Sequence, residues 1–216
     1  MPNQSLEQWK FILEEALTLR PEHLSIYGLT LEEGTSFYES KEAGRYSLPD
    51  ESEQAMMYLT AQKLLTENGF EQYEVSNFSR PGYHCKQNLS YWSDREYLGL
   101  GASAHSHLNG MRFANCYDPQ EYIHRISTSG NAVTELEHLS PEKKAREATA
   151  IGLRRTAGFS LQTILQRYGV DLPQAFYKTL EDLQAQGLLT FSSKNLRLTS
   201  EGLLLADELA ATLLSC

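Results

Sequence analysis

A glycine-rich run lies in the middle of the chain. Residues 99–104 read Gly-Leu-Gly-Ala-Ser-Ala, which matches the G-x-G-x-x-A pattern of dinucleotide-binding turns. That function needs a helix that opens at the third small residue, and residues 105–110 do not have a helical pattern. We therefore exclude a dinucleotide site. Two interpretations of the glycines stay open, which are close approach of the backbone to a ligand and a tight corner.

Histidines close to this run could bind a metal. His105 and His107 are two residues apart, so on a strand their side chains share a face. Two imidazoles on one face can ligate a metal or a haem iron. No third ligand follows at a recognisable spacing, which favours hydrogen-bonded polar side chains at a strand end. The dipeptide His84-Cys85 could offer an iron ligand, although a lone cysteine is more often inert and partly buried. We predict no metal site and no catalytic residue.

Aromatic residues are dense before the glycine-rich run. Tyr83, Tyr91, Trp92 and Tyr97 surround Asn88 in the sequence. Aromatic faces with few polar groups suit a flat apolar ligand. The same side chains can pin a loop to a core, and we favour this pinning role.

The elements that position these residues alternate between helix and strand. A helix capped by Ser5 precedes an apolar run at residues 23–31, and a helix with a capping box at Asp50 and Glu53 precedes a second run at residues 70–75. The near-continuous apolar character of residues 23–31 predicts a strand buried on both faces, as in a parallel sheet. Helix, strand, helix, strand is the order of an α/β protein.

The C-terminal region has a different plan. The cap and stop signals predict three helices, a hairpin and a final helix, at residues 140–158, 160–169, 171–186, 188–198 and 200 onward. Three helices and a hairpin form a winged-helix plan, in which the third helix of many proteins reads DNA. Here that helix carries Lys178 against Glu181 and Asp182, which favours a packing or lid module.

Charge also separates two regions. Residues 1–136 hold 10 of the 19 basic and 19 of the 28 acidic residues, which leaves 9 of each for residues 137–216. Neither region is basic, which argues against a nucleic-acid partner. The weakly patterned stretch at residues 128–134 is interpreted as a linker. We therefore predict two domains, residues 1–136 and residues 137–216.

Cysteine usage and hydropathy indicate a compartment. Cys85, Cys116 and Cys216 are odd in number and widely spaced, which argues against a disulfide scaffold and a metal knuckle. No apolar stretch approaches the ~20 residues that span a bilayer. The N-terminal residues lack the basic and apolar regions of a secretory signal. We expect a cytoplasmic protein without an integral membrane segment.

Five motifs in order resemble one family. They lie at residues 24–35, 73–79, 81–85, 88–92 and 97–106. Together they are similar to the radical S-adenosylmethionine family of oxygen-independent coproporphyrinogen III oxidases and their relatives, the haem chaperones of the HemW type. The resemblance covers essentially the whole chain, and residues 73–78 and 88–92 resemble the chaperone branch more than the oxidase branch.

This resemblance implies a fold and a missing part. Family members begin with a Cys-x3-Cys-x2-Cys loop, which holds a [4Fe–4S] cluster that binds and cleaves S-adenosylmethionine, and this sequence has no such loop. Residues 2–5 resemble the turn after the fifth barrel strand of the family. The implied fold is the C-terminal end of a partial TIM-like radical SAM barrel, followed by a small winged-helix-like α+β domain. We do not expect this chain to cleave S-adenosylmethionine by itself. A natural short protein and a truncated product both stay open.

The resemblance also assigns binding residues. Those on the S-adenosylmethionine side are Gly28, Thr30, Gly99, Gly101, Ala104 and His105. Those on the haem or porphyrin side are His84, Gln87, Asn88, Tyr91 and Trp92. The family motif of the chaperone branch is His-Asn-x-x-Tyr-Trp, and Gln87 stands where that histidine is expected. Either haem binding is lost, or a neighbour such as His84 or Cys85 takes over.

The implied function is haem binding and delivery. The implied partners are haem or a porphyrin, and haem-accepting proteins. Two alternatives stay open. One is a fragment of an oxygen-independent coproporphyrinogen III oxidase, and the other is an inactive truncated product.

Overall fold

The computed structural model of the chain describes residues 1–215, and Cys216 lies outside the described residues. The chain divides into two compact units, Met1–Cys85 and Lys86–Cys216, which we call unit 1 and unit 2. The helices and strands of unit 1 are α1 (Leu6–Thr18), β1 (His23–Ser25), α2 (Ser36–Glu42), α3 (Glu51–Glu67), β2 (Glu71–Glu74) and β3 (Asn77–Ser79).

A three-stranded antiparallel sheet organises unit 1. Strand β3 lies in its centre, with β1 on one side and β2 on the other. Phe78 of β3 is opposite Leu24 of β1. Phe78, Phe70 and Leu65 form the buried core, and Leu17 of α1 packs against it. The core therefore joins the sheet to α1 and α3.

The predicted strand at residues 23–31 is wrong in length and in pairing. Strand β1 ends at Ser25 and pairs antiparallel with β3. The Ile26 N–H still donates a hydrogen bond to the Ser76 carbonyl oxygen (2.7 Å), but β3 offers three residues and the ladder ends with it. Tyr27 is 70% exposed. The apolar pattern indicated burial, but the short partner strand limits the pairing.

The predicted helix starts of unit 1 are confirmed. The Ser5 Oγ accepts a hydrogen bond from the Gln8 N–H, and the Gln8 side chain accepts one from the Ser5 N–H. Asp50 and Glu53 form the same reciprocal capping box at the start of α3. Each box satisfies two backbone donors that have no partner inside the helix. Among the described residues, no helix has both the length and the apolar character needed to cross a membrane.

Unit 2 holds a longer series of elements. They are α4 (Lys86–Tyr91), β4 (His105–Leu108), β5 (Met111–Asn115), α5 (Pro119–Ser129), β6 (Val133–His138), α6 (Pro141–Gly152), β7 (Phe159–Ser160), α7 (Leu161–Tyr168), α8 (Leu172–Ala185), β8 (Leu189–Phe191), β9 (Asn195–Leu198), α9 (Ser200–Leu204) and α10 (Ala206–Ser215). Residues 76–115, which lack periodicity, thus contain β3, α4, β4 and β5.

The residues predicted to form a linker belong to α5 and to the first sheet of unit 2. Strands β4, β5 and β6 form an antiparallel sheet in that order. Residues 128–134 contain the end of α5, its left-handed Gly130 cap and the start of β6, where Val133 is opposite Asn115. The linker interpretation is therefore wrong. The boundary predicted between residues 136 and 137 falls inside β6, and the two-domain division at that point stays a prediction.

The C-terminal part of unit 2 confirms the order of three helices, a hairpin and a final helical segment. Strands β7, β9 and β8 form its sheet, and β8 and β9 are the predicted hairpin. Two boundaries differ, because α6 ends at Gly152 and not at residue 158, and the last helix is divided at Leu205. Leu153, Leu180 and Leu196 are fully or almost fully buried in its core.

Candidate ligand-binding site

Helix α4 carries two residues that the resemblance assigns to the haem side. Gln87 and Tyr91 are four positions apart and so lie on one face of the helix. The Gln87 Nε2 donates a hydrogen bond to the Tyr91 Oη (2.8 Å). The Tyr91 ring meets the Tyr97 ring edge-on, with centroids 4.9 Å apart. Both Gln87 and Tyr91 are exposed, so this face presents an amide and a phenol ring at the surface.

Trp92, the last residue of this motif, is held by residues outside it. Its backbone N–H donates to the Asn88 carbonyl oxygen (3.1 Å) and continues the helical turn. The Arg154 guanidinium lies over the indole, with its Cζ 4.9 Å from the ring centroid, and forms an ion pair with Asp207 of α10. The Trp92 Nε1 is buried and has no hydrogen-bond partner among residues 1–215. Packing, and not a hydrogen bond of its side chain, orients the ring.

Asp94 follows the motif and contacts polar side chains from two elements, α7 and β4. The Tyr168 Oη of α7 donates a hydrogen bond to Asp94 Oδ2. The Arg167 Nη1 lies 3.7 Å from the same oxygen, and the His107 Nδ1 lies 3.6 Å from Oδ1. Burial raises the pKa of Asp94 above its ordinary value of 3.8, while His107 and Arg167 act in the opposite direction. The cluster ties the residues after the motif to α7 and β4.

The glycine run forms a tight corner in unit 2. A Cβ on Gly99 would lie 2.1 Å from the His105 carbonyl oxygen, so a side chain there would clash with the backbone. Gly101 has a φ of +106°, which favours glycine. Its N–H donates to the Tyr122 Oη (3.2 Å), and its carbonyl accepts from the Asn115 Nδ2 (2.8 Å). Of the two open interpretations, these contacts favour the corner.

The two neighbouring histidines lie on strand β4, as their spacing predicts. His105 is exposed and His107 is half-buried, while Ser106 between them is buried on the other face. The Ser106 Oγ accepts a hydrogen bond from the Gly99 N–H (3.0 Å). A strand in place of a helix at this point agrees with the exclusion of a dinucleotide site. In the described part of the chain, no group of three or more His, Cys, Asp or Glu side chains is placed to hold a metal ion.

Gly28 and Thr30 belong to unit 1. Both are exposed and lie in the irregular segment after β1. A Cβ on Gly28 would meet no other heavy atom of the described residues within 4 Å. Backbone at this point is therefore open to a ligand.

His84 is part of a hydrogen-bonded aromatic group in unit 1. Its ring stacks on that of Tyr73 with centroids 4.7 Å apart, and its Nε2 lies 3.1 Å from Glu71 Oε2. The Tyr73 Oη accepts a hydrogen bond from the Cys85 N–H (3.4 Å) and shares another with the His23 Nε2 (2.7 Å). Burial lowers the pKa of His23 below its ordinary value of 6.5. These contacts fix the plane of the His84 ring.

The thiols of this chain do not fit an iron–sulfur cluster. Cys85 of unit 1 and Cys116 of unit 2 are both free, and Cys116 is buried. The structure leaves Cys216 undescribed. A [4Fe–4S] cluster is held by neighbouring thiolates, and the sequence contains no Cys-x3-Cys-x2-Cys. We therefore assign no chemical step of such a cluster to these residues.

The comparisons with known proteins agree with one another. Residues 139–205 match the family model of the HemN C-terminal domain. The heme chaperone HemW of Bacillus subtilis is 36% identical over 208 residues, which are 96% of this chain and 55% of that protein. Radical S-adenosyl methionine domain-containing protein 1, mitochondrial, of Danio rerio is 34% identical over 99% of this chain and 51% of its own length. The chain spans about half the length of the curated relatives it matches.

A solved structure matches the fold. The coproporphyrinogen III oxidase HemN from Escherichia coli, described as a radical SAM enzyme, superposes with a TM-score of 0.77 at 19% identity, over 99% of this chain and 52% of its own. The curated relatives and the C-terminal domain together relate the chain to the radical S-adenosylmethionine class, with a HemN-type C-terminal domain at residues 139–205. Within this class, the chain is a homologue of the heme chaperones HemW of Bacillus subtilis and Lactococcus lactis, which it matches at 36% and 31% identity over about half of their length. The predicted α/β class and family are confirmed.

Sequence reasoning missed the residues that hold the motif. Arg154, Asp207 and Tyr168 lie far along the chain from Trp92 and Asp94, and no spacing rule connects them. One local signal was available, because Asp94 is an acid directly after an aromatic motif and such an acid needs a donor when it is buried. The partner itself required the fold.

Proposed function

We propose that this chain provides the haem-binding part of a HemW-type haem chaperone, which passes haem to an accepting protein. The observation that carries the proposal is the ordered Asn88–Trp92 motif, in a chain 36% identical to the heme chaperone HemW of Bacillus subtilis. A porphyrin is flat and largely apolar, and aromatic faces with few polar groups suit such a ligand. The exposed ring of Tyr91 next to the amide of Gln87 offers such a surface.

We propose His84 as the iron ligand. Gln87 stands at the histidine position of the family motif, and an amide cannot supply an imidazole. His84 precedes the motif by three residues, and its Nε2 is paired with Glu71. A histidine whose one ring nitrogen bonds a carboxylate is held in one tautomer, which leaves its other nitrogen as a metal ligand. Cys85, which is free, is the alternative neighbour.

We further propose a side of the site that faces S-adenosylmethionine. Its residues are Gly28, Thr30, Gly99, Gly101, Ala104 and His105. The support is the family resemblance, together with the open backbone at Gly28 and the exposed imidazole of His105. The contacts of Gly99 and Gly101 support a structural role for these two, in which they shape the corner that precedes His105.

A haem titration of the full chain tests the proposal. We expect a shifted Soret band at near-equimolar haem. His84→Ala is expected to raise the Kd for haem at least about tenfold, since an iron–imidazole bond is lost. His124→Ala is the matched control, because His124 is an exposed histidine on α5 and should leave the Kd within about twofold.

A gain-of-function variant sharpens the same experiment. Gln87→His restores the family motif and is expected to bind haem more tightly than the unchanged chain. A folded chain without a Soret change would overturn the proposed function. Equal Kd values for His84→Ala and His124→Ala would remove His84 from the site and leave Cys85→Ser as the next variant to measure.

A further inference from the structure

The ring of Trp92 is in contact with Arg154, from the C-terminal part of the chain. The Arg154 Cζ lies 4.9 Å from the indole centroid, a distance at which a guanidinium is attracted to the ring face. Arg154 is held in turn by its ion pair with Asp207. The Trp92 Nε1 is buried and has no partner among the described residues, so no side-chain hydrogen bond sets the angle of the ring.

A second stack in the same part of the chain provides a reference. The Arg146 Cζ lies 5.2 Å from the ring centroid of Phe176, and Arg146 forms an ion pair with Glu142. The two arginines therefore have the same kind of contact with an aromatic ring. They differ in what the ring does, since Phe176 is a buried core residue and Trp92 ends the Asn88–Trp92 motif.

We infer that Arg154 is a positioning residue, which fixes the plane of the Trp92 ring and through it the haem-facing motif. The second half of this inference, the effect on the haem-facing motif, rests on the proposed haem function. The first half, the contact between Arg154 and Trp92, does not rest on it. A guanidinium is planar and stacks on an aromatic face, whereas an ammonium is a compact point charge. Lysine at position 154 can keep the charge pair with Asp207 but not the stacked plane.

The chain's two tryptophans allow a direct test. The full chain is labelled with 5-fluorotryptophan, which gives one ¹⁹F signal for Trp92 and one for Trp9 of unit 1. Arg154→Ala is expected to shift or broaden the Trp92 signal and to leave the Trp9 signal in place. Arg154→Lys should restore it in part. The control Arg146→Ala should leave both signals unchanged.

The same variants are then titrated with haem. Arg154→Ala is expected to raise the Kd about fivefold, and Arg146→Ala to leave it unchanged. If Arg154→Ala does not fold, Asp207→Asn replaces it, because Asp207 is exposed and its removal loosens Arg154 without emptying the stack.

The outcomes separate the two claims. A Trp92 signal that does not move in Arg154→Ala overturns the inference. A moved signal with an unchanged Kd shows that Trp92 does not orient haem, and it overturns the second half. An unchanged chain that binds no haem overturns the proposed function, and the ¹⁹F signals still decide whether Arg154 positions Trp92.

Discussion

Two segments that the resemblance assigns to one ligand are held in opposite ways. In unit 1, the segment after β1 is open, since Tyr27 is 70% exposed and a Cβ on Gly28 would meet no described atom within 4 Å. In unit 2, the corner at residues 99–104 is closed, since a Cβ on Gly99 would lie 2.1 Å from the His105 carbonyl oxygen. Glycine thus has two meanings in this chain. One permits approach from outside, and the other permits the backbone to pack on itself.

The difference shows which of the two segments is held by contacts within its own unit. The corner in unit 2 has its polar backbone groups bonded within the unit, so its conformation does not wait for a ligand. The segment in unit 1 continues from a strand whose ladder ends at Ser25. A ligand or partner that contacts this segment would meet exposed residues and not a backbone that packs on itself. Substitutions in each unit can break or sharpen this contrast.

The largest effect is expected in the core that anchors the open segment. Phe78 is 1% exposed and lies opposite Leu24 of β1. The open segment begins two residues after Leu24. Phe78→Ala should lower the free energy of unfolding of unit 1 by about 4 kcal/mol, through lost burial and the cavity it leaves. Urea unfolding followed by Trp9 fluorescence in a Trp92→Phe background measures it. Phe11→Ala, at an exposed position of α1, should stay within about 0.5 kcal/mol.

The next effect compares the two glycines directly. Gly99→Ala should lower the free energy of unfolding of unit 2 by about 2 kcal/mol, because the new methyl group forces the backbone of His105 to move. Gly28→Ala should change the stability of unit 1 by less than about 0.5 kcal/mol. Equal losses in the two variants would mean that the contrast between a closed and an open segment does not hold. Urea titrations report the two units separately when unit 1 is followed by Trp9 in a Trp92→Phe background and unit 2 by Trp92 in a Trp9→Phe background.

A smaller effect is a pH dependence of unit 2 that comes from Asp94. Burial raises the pKa of Asp94, so the folded unit binds its proton more tightly than the unfolded chain does. The stability from this group is fully present below pH 3.8 and is lost as the pH rises through the folded pKa. Asp94→Asn should flatten the curve of stability against pH in the range directly above 3.8. Asp118→Asn, at the exposed cap of α5, should keep that slope.

The smallest effect is the opposite pH dependence in unit 1. Burial lowers the pKa of His23, while the charge of Glu74 acts against it and that of His84 adds to it. The folded unit then binds a proton less tightly, so this contribution is present above pH 6.5 and is lost as the pH falls through the folded pKa. His23→Gln should flatten the slope just below pH 6.5. An unchanged slope in unfolding curves at a series of pH values would contradict the assignment.

Local signals in the sequence were sufficient for the helices. The caps at Ser5, Asp50 and Asp171 predicted helix starts, and each side chain accepts the hydrogen bond that the pattern requires. These contacts span three residues, so the sequence contains both partners. Helix ends were less certain, since α6 stops at Gly152 and not at residue 158. The Phe159 ring lies so close to Gly152 that a Cβ there would be 2.8 Å from it, and this contact is not visible in the sequence.

Strand pairing and the candidate site depended on partners far away in sequence. Val133 joins β6 because Asn115 is opposite it, and nothing in residues 128–134 reveals that partner. The same holds for Trp92, whose aromatic character predicted packing but not the stack with Arg154. The motif around Asn88 could be read from the sequence because its members are close together. The residues that hold the motif could not be predicted, since they lie on other helices whose local sequence gives no sign of the contact.

The stack of Trp92 on Arg154 also bears on how this protein can be recombined with its relatives. Arg154 lies inside the matched range 139–205, while Trp92 and Asp207 both lie outside it. A chimera that exchanges this range alone would place a relative's residue at position 154, between the native Trp92 and the native Asp207. Grafting from residue 86 onward would transfer the three together. The segment that is recognised as a module in sequence is thus smaller than the segment that must be transplanted as one piece.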